Sequence, residues 1–245
     1  TFVSTVSFAS ELTQEEVDER RFQFHGVALF GGTDIFSKGI KIATRSDYSH
    51  VGALIHDADA DVDDISSWYC FESTGSGCEV LKGHLPHVRV TPWANVVADY
   101  SGSVTTRLLG FDDGYEPNAD AVTRFVRNFN GRAYEGDIGE LFASIRDSNT
   151  EADLDTVFCS ELTAEMFMEL GYMERGTSGN GLSNNWLPAE FSAARNANQY
   201  IAHAALRDEV DVKVHRPGRL VRFGRWLRKT LSGLSCTSCT TAEMA

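Results

Sequence analysis

Apolar residues in this chain follow two rhythms. In the first half they form short runs bounded by glycine, aspartate and serine, which predicts strands. Gly26–Phe30 closes on Gly31-Gly32, His50–His56 is a buried run, and Trp68–Ser73 follows an acidic turn over Asp57–Ser67. Shorter strands are predicted near Glu79–Leu81, Val88–Val90 and Val104–Leu109. Between the first two strands, Asp34 is placed to cap a helix with apolar Phe36, Ile40 and Ala43. Further on the spacing lengthens to three and four. Pro117 opens a helix carrying Ala121, Val122, Phe125, Val126 and Phe129, and Gly131 stops it. A second helix is predicted over Ile138–Ile145, and a third, with Leu162, Met166 and Leu170, ends at Gly171. Asn180–Asn185 is expected to be a polar loop leading into Trp186-Leu187-Pro188. Alternating Val210, Val212 and Val214 predict a closing strand over Glu209–Val214. Strands in one half and helices in the other define an α+β fold class, with no internal repeat.

Length and charge divide the chain further. At 245 residues it suits one substantial core. An aromatic content of 11% argues against disorder. The net charge of −13 disfavours nucleic acid as a partner, because phosphates are repelled. From Lys213 onward, seven Lys or Arg stand against one acid, Glu243, so this tail carries +6 and the rest −19. The expected organisation is a lead-in over 1–21 with a helical run near Glu11–Arg21, a catalytic domain over 22–212, and a basic tail over 213–245. No run approaches the ~20 apolar residues of a membrane span, and no secretory signal pattern stands at the start. Five cysteines in irregular spacing do not suit a disulfide framework, which points to a reducing, cytoplasmic setting. Cys236 and Cys239 lack the further pair or histidines that a zinc site needs, so neither metal nor cofactor is expected.

One cysteine stands apart. Cys159 falls where the extended Val157-Phe158 turns into a helix. There it meets unpaired backbone N–H groups and the positive end of the macrodipole, both of which favour thiolate over thiol. His50, which lies 109 residues upstream, is the candidate base. Glu72 is the candidate orienter: if 50–56 and 68–73 pair as a hairpin, its carboxylate lies beside the imidazole. Tyr48 and Ser160 are candidate supporting groups for the base and for an oxyanion, and Gly52 allows close approach of another backbone. Cys70 and Cys78 have no such setting. The alternating acids Asp57, Asp59, Asp61 and Asp63 look like a calcium loop. However, Val62 stands where such a loop needs Gly and Trp68 where it needs Glu, so a solvated hairpin tip is expected.

Ser49-His50-Val51-Gly52, followed much later by Phe158-Cys159-Ser160-Glu161-Leu162, resembles the circularly permuted papain-like thiol hydrolases. These form the permuted branch of the NlpC-type superfamily, which includes YiiX-like proteins and, more distantly, lecithin–retinol acyltransferases. Gly26–Phe30, Gly39–Thr44, Phe71-Glu72-Ser73, Gly131-Arg-Ala-Tyr134 and Leu187–Phe191 are similar to further segments of that branch in the same order, over roughly 24–195. His25-Gly26-Val27 departs from it, since Gly-Asp is more usual there. The resemblance implies a permuted papain-like fold, an antiparallel sheet packed against a helical half with the nucleophile at a helix N-terminus. It also implies Cys159, His50 and Glu72 as catalytic residues, with a thioester formed from an amide or ester substrate (a peptide, a cell-wall fragment or a lipid). The alternatives are a lipid acyltransferase of the same fold and a non-catalytic binding module.

The tail adds a partner. Arg216, Arg219, Arg222, Arg225 and Arg228 recur every third residue, while Leu220, Phe223, Leu227, Leu231 and Leu234 share one helical face. This pattern suits a basic amphipathic helix over 216–234 lying on an anionic membrane, with Cys236 and Cys239 placed for acylation. The competing expectation is docking on the acidic body of the protein itself.

Overall fold

The computed structural model describes residues 11–74, 87–115, 117–134, 154–176, 179–195 and 197–213. The predicted strand at 79–81, the helix at 138–145, Cys78 and the basic tail from 214 onward lie outside them. The fold is α+β, built on a curled sheet. Helix α1 (Gln14–Asp18) is capped by Thr13, which exchanges hydrogen bonds with Glu16. Then follow β1 (Phe22–Gly31), α2 (Ile35–Thr44), β2 (His50–Asp57), β3 (Trp68–Thr74), β4 (His87–Pro92), α3 (Trp93–Asp99), β5 (Ser103–Phe111) and α4 (Ala119–Phe129). The chain continues through β6 (Ala133–Tyr134), β7 (Thr156–Val157), α5 (Cys159–Glu169), β8 (Ala204–Leu206) and β9 (Val210–Lys213). Among the described residues the strand order is β7-β6-β4-β3-β2-β1-β5-β8, with β9 also on β5. Every pairing is antiparallel except β6 with β7.

Alternation along the strands sends apolar side chains to two cores, one on each face. Val27, Leu29, Val51, Ala53, Tyr69 and Phe71 face the larger core, where Phe125 of α4 and Phe167 of α5 pack. Ala28, Phe30, Leu54 and Cys70 face the smaller one, with Trp93 and Val97 of α3. At His25 the β1–β2 register shifts, making a bulge. Gly26 follows at φ 144°, and a Cβ there would stand 2.2 Å from the Arg107 carbonyl oxygen. Only glycine allows β5 so close.

Two sequence expectations change, and one helix is added. Asn118, not Pro117, caps α4, its side chain accepting from the Ala121 N–H at 3.0 Å, so the helix starts two residues after the proline. Residues 183–185 are not a solvated loop. They form a 3₁₀ turn whose Ser183, Asn184 and Asn185 are all buried against α5. Trp93–Asp99, for which no element is predicted, forms α3, and Trp93, Val96 and Val97, three and four residues apart, cover the smaller core. The acidic turn after β2 closes on itself by Asx turns: the Asp57 and Asp61 carboxylates accept from the Asp59 and Asp63 N–H groups at 3.1 and 3.0 Å. No described helix is long and apolar enough to cross a membrane.

Candidate active site

Helix α5 begins at Cys159 because the chain leaves β7 extended at Phe158 (φ −73°, ψ 164°) and turns at once. The Glu161 carboxylate reaches back to accept from the Phe158 N–H at 3.2 Å, and the Thr163 hydroxyl donates to the Cys159 carbonyl at 2.9 Å. Both bonds fix the first turn. The incoming strand is fixed too, since the Ser73 hydroxyl donates to the Val157 carbonyl at 2.6 Å. Cys159 therefore projects from a rigid corner, and it is 7% exposed.

His50 and Glu72 come from the other side of this corner. β2 and β3 pair with Ala53 opposite Phe71, as the predicted hairpin requires. The next step along brings Glu72 beside Gly52, where an added Cβ would lie 3.2 Å from the Glu72 Cβ and 2.6 Å from the Cys70 sulfur. The missing side chain lets the carboxylate lean toward the strand end, and its Oε2 lies 2.6 Å from His50 Nε2. The other carboxylate oxygen, Oε1, accepts from Arg89 Nε and Nη2 at 3.1 and 2.8 Å. Arg89 stands directly opposite Glu72 in the β3–β4 register. The imidazole is held against the Phe30 ring, with centroids 5.1 Å apart, and Tyr100 packs on Phe30 at 4.9 Å.

The electrostatics follow from this order. Burial works against ionising Cys159. Opposing it are the charge of His50, the hydrogen bond from its imidazole, and the backbone N–H groups of Val51 and Ser160, so the thiol sits below its usual range. Burial likewise disfavours the His50 imidazolium, but the Cys159 thiolate and the Glu72 carboxylate outweigh it and raise the group to about 10. Glu72 is lowered to about 2 despite burial, chiefly by the His50 hydrogen bond and the Arg89 charge. With Nε2 on Glu72, Nδ1 is the nitrogen left for the sulfur. The result is a chain of alternating charge: Arg89 cation, Glu72 anion, His50 cation, Cys159 anion. Cys70 provides the contrast, since burial in the smaller core pushes its thiol well up.

The structure thus brings together Cys159, His50 and Glu72. Ser160 joins through its backbone N–H. Tyr48 does not join: its hydroxyl donates to Glu209 Oε2 at 2.8 Å, away from the imidazole. Two residues went unnoticed in the sequence. Arg89 alternates with Val88 and Val90 in a strand whose partner was unknown, and Tyr100, whose hydroxyl pairs with Ser49, follows a helix that the pattern did not show. Among the described residues no three His, Cys, Asp or Glu side chains gather as a metal site.

No protein-family profile matches the chain, and no curated protein matches it. Among solved structures it is similar to the crystal structure of the metalloprotein yiiX from Escherichia coli O157:H7. The two share 18% identity at a TM-score of 0.42, over 80% of this chain and 98% of that one.

Proposed function

We propose that this chain is a cysteine-dependent hydrolase of permuted papain-like type, cleaving an amide or ester bond through a thioester. The observation that carries the reading is the single arrangement of Cys159 at a helix N-terminus, His50 against its sulfur, and Glu72 at 2.6 Å on the far imidazole nitrogen. In such a pair, Glu72 on one side of the imidazole and the sulfur on the other favour the proton on His50 and so the thiolate.

The Cys159 thiolate attacks the substrate carbonyl carbon, and the carbonyl π electrons move onto oxygen. The N–H groups at the start of α5 stabilise that oxyanion. As the tetrahedral species collapses, His50 passes its proton to the leaving amine or alcohol, and a thioester to Cys159 remains. Neutral His50 then takes a proton from water, whose hydroxide attacks the thioester carbonyl. Collapse frees the acid and restores the thiolate–imidazolium pair. Glu72 keeps the ring in place throughout, and Arg89 keeps Glu72 ionised.

An acyl-directed activity probe tests the reading. It is expected to label the wild type and to lose about 10³-fold or more in rate with Cys159→Ala or His50→Ala. Equal labelling of the variants, or none of the wild type, would sink the assignment. Product analysis in the presence of an amine or alcohol acceptor then separates hydrolysis from acyl transfer.

A further inference from the structure

A second feature lies beside this site and takes no part in its acid–base chain. The last turn of α2, the stretch leading to β2, and the segment after the Pro188–Phe191 turn enclose a cavity of about 340 Å³. That volume is at the lower end of ordinary ligand sites. Its wall is polar, and its cations come from two separate parts of the chain.

Lys41 lies in the last turn of α2 and Arg45 is the residue that caps it, and both line the cavity. Arg45 turns out of the helix in the left-handed conformation (φ 51°, ψ 47°), while the Ser46 N–H closes the end on the Lys41 carbonyl. Arg195 approaches from the other segment, steadied by one hydrogen bond from Nη2 to the Thr44 carbonyl at 3.0 Å. Two like charges on one cavity wall repel, and a third facing them adds to the repulsion. Among the described residues none of the three has a carboxylate within ion-pair distance.

Two acids do line the cavity, Asp47 and Glu209. Glu209 is already engaged at both oxygens, accepting from the Tyr48 hydroxyl at 2.8 Å and the Ala193 N–H at 2.7 Å. Its charge is directed into the wall. The five charged side chains sum to +1, in a chain whose net charge is −13. A positive concavity on an acidic body concentrates anions. Two guanidinium forks and an ammonium suit a phosphate, which offers acceptors in several directions, better than a planar carboxylate.

We propose that Lys41, Arg45 and Arg195 form a binding subsite for a phosphate group. On the hydrolase reading, which this part rests on, that phosphate is the anionic end of the substrate. Tyr48 in the cavity wall is two residues before His50, so the cavity adjoins the start of the strand that carries the base.

Calorimetric titration of the full chain separates the possibilities. Inorganic phosphate and glycerol 3-phosphate are titrated into wild type, Cys159→Ala, and the double variant Lys41→Ala with Arg45→Ala. Saturable binding that persists in Cys159→Ala and weakens at least about tenfold in the double variant supports the subsite. Tighter binding of glycerol 3-phosphate than of phosphate identifies a soluble ester as the ligand class. The same double-variant loss seen only with phosphatidic acid vesicles, against phosphatidylcholine controls, identifies a lipid headgroup. No saturable binding of any of the three probes, or equal binding by the double variant, overturns the proposal. Circular dichroism and acyl-probe labelling of Cys159 check that the double variant is folded and its thiolate intact. An unlabelled wild type that still binds phosphate would end the hydrolase reading and leave the subsite standing. A labelled wild type that binds none would do the reverse.

Discussion

Acidification from pH 7.5 to 5 should weaken this fold through a histidine remote from Cys159. His25 occupies the bulge in β1 with its ring 4.9 Å from Trp68 and 5.6 Å from His56, and among the described residues its buried Nε2 has no hydrogen-bond partner. Burial, aided by His56, drops its pKa from 6.5 to about 3. Between those values the unfolded chain holds a proton that the folded chain refuses. Stability is therefore full above pH 6.5 and falls as pH falls toward 3. One proton corresponds to about 1.4 kcal/mol per pH unit, so His25 alone removes about 2 kcal/mol by pH 5. That figure does not depend on where near 3 the folded value lies. His56, also lowered by burial, acts in the same direction. The site acts in this window as well: His50 is raised, so its stabilisation grows as pH falls from 7.5 and is complete below 6.5. Cys159 is lowered, so its stabilisation is lost as pH falls, and Glu72, lowered to about 2, loses its own only below about 4.5. Urea melts at pH 7.5, 6.5, 5.5 and 5.0, followed by tryptophan fluorescence and circular dichroism, measure the slope. Between pH 6.5 and 5.0, His25→Phe should lose about 2 kcal/mol less than the wild type, a slope flatter by about one proton. An unchanged slope in that variant would show that His25 accepts a proton in the folded state and would refute the argument.

Other outcomes follow from the site and the tail. Glu72→Gln removes the anion from one side of the imidazolium. The alkaline loss of the thiolate–imidazolium pair, set by His50 near 10, should move at least about one unit lower, read from the pH profile of alkylation at Cys159. Gly52→Ala forces a Cβ to within 2.6 Å of the Cys70 sulfur and 3.2 Å of the Glu72 Cβ. A cost of about 1–3 kcal/mol and a fall in Cys159 labelling are expected, and wild-type stability and labelling together would contradict the close packing described. Removing residues 216–245, which hold the basic amphipathic pattern, should abolish flotation with anionic liposomes, and unchanged flotation would rule out the tail as an anchor.

How much of this was legible in the sequence depended on how local the cause was. The Asp34 cap, the hairpin of β2 and β3 and the helix starting at Cys159 arise from neighbouring residues, and the sequence pattern located them. Arg89 was not legible, because its role comes from a register: only when β4 pairs with β3 does it stand opposite Glu72. The environment of α5 was hidden for a related reason. Its Leu162, Met166 and Leu170 spacing describes a helix with one apolar face, whereas residues 159–168 are all buried. The helix tolerates this because its polar groups find partners, Thr163 on a carbonyl and Glu165 on Arg175 through two bonds of 3.0 and 2.6 Å. Arg175 lies beyond the end of the helix, where the apolar spacing gives no sign of the pairing. The same holds for the buried 183–185 segment, whose polar composition indicates solvent until α5 is seen to cover it.

The short parallel pairing of β6 with β7 has a consequence for the timing of the chemistry. Residues 22–111 contain the strands that carry His50, Glu72 and Arg89, and these become available first as the chain is synthesised. Cys159 arrives later, two residues beyond β7, and reaches them only when that strand docks on the sheet edge and the Ser73 hydroxyl captures the Val157 carbonyl. Until then its sulfur has neither the imidazole nor the helix N–H groups, and it is an ordinary thiol. Closing the sheet edge therefore also brings the sulfur to the imidazole, so on the hydrolase proposal a nascent or locally opened chain carries no reactive thiolate.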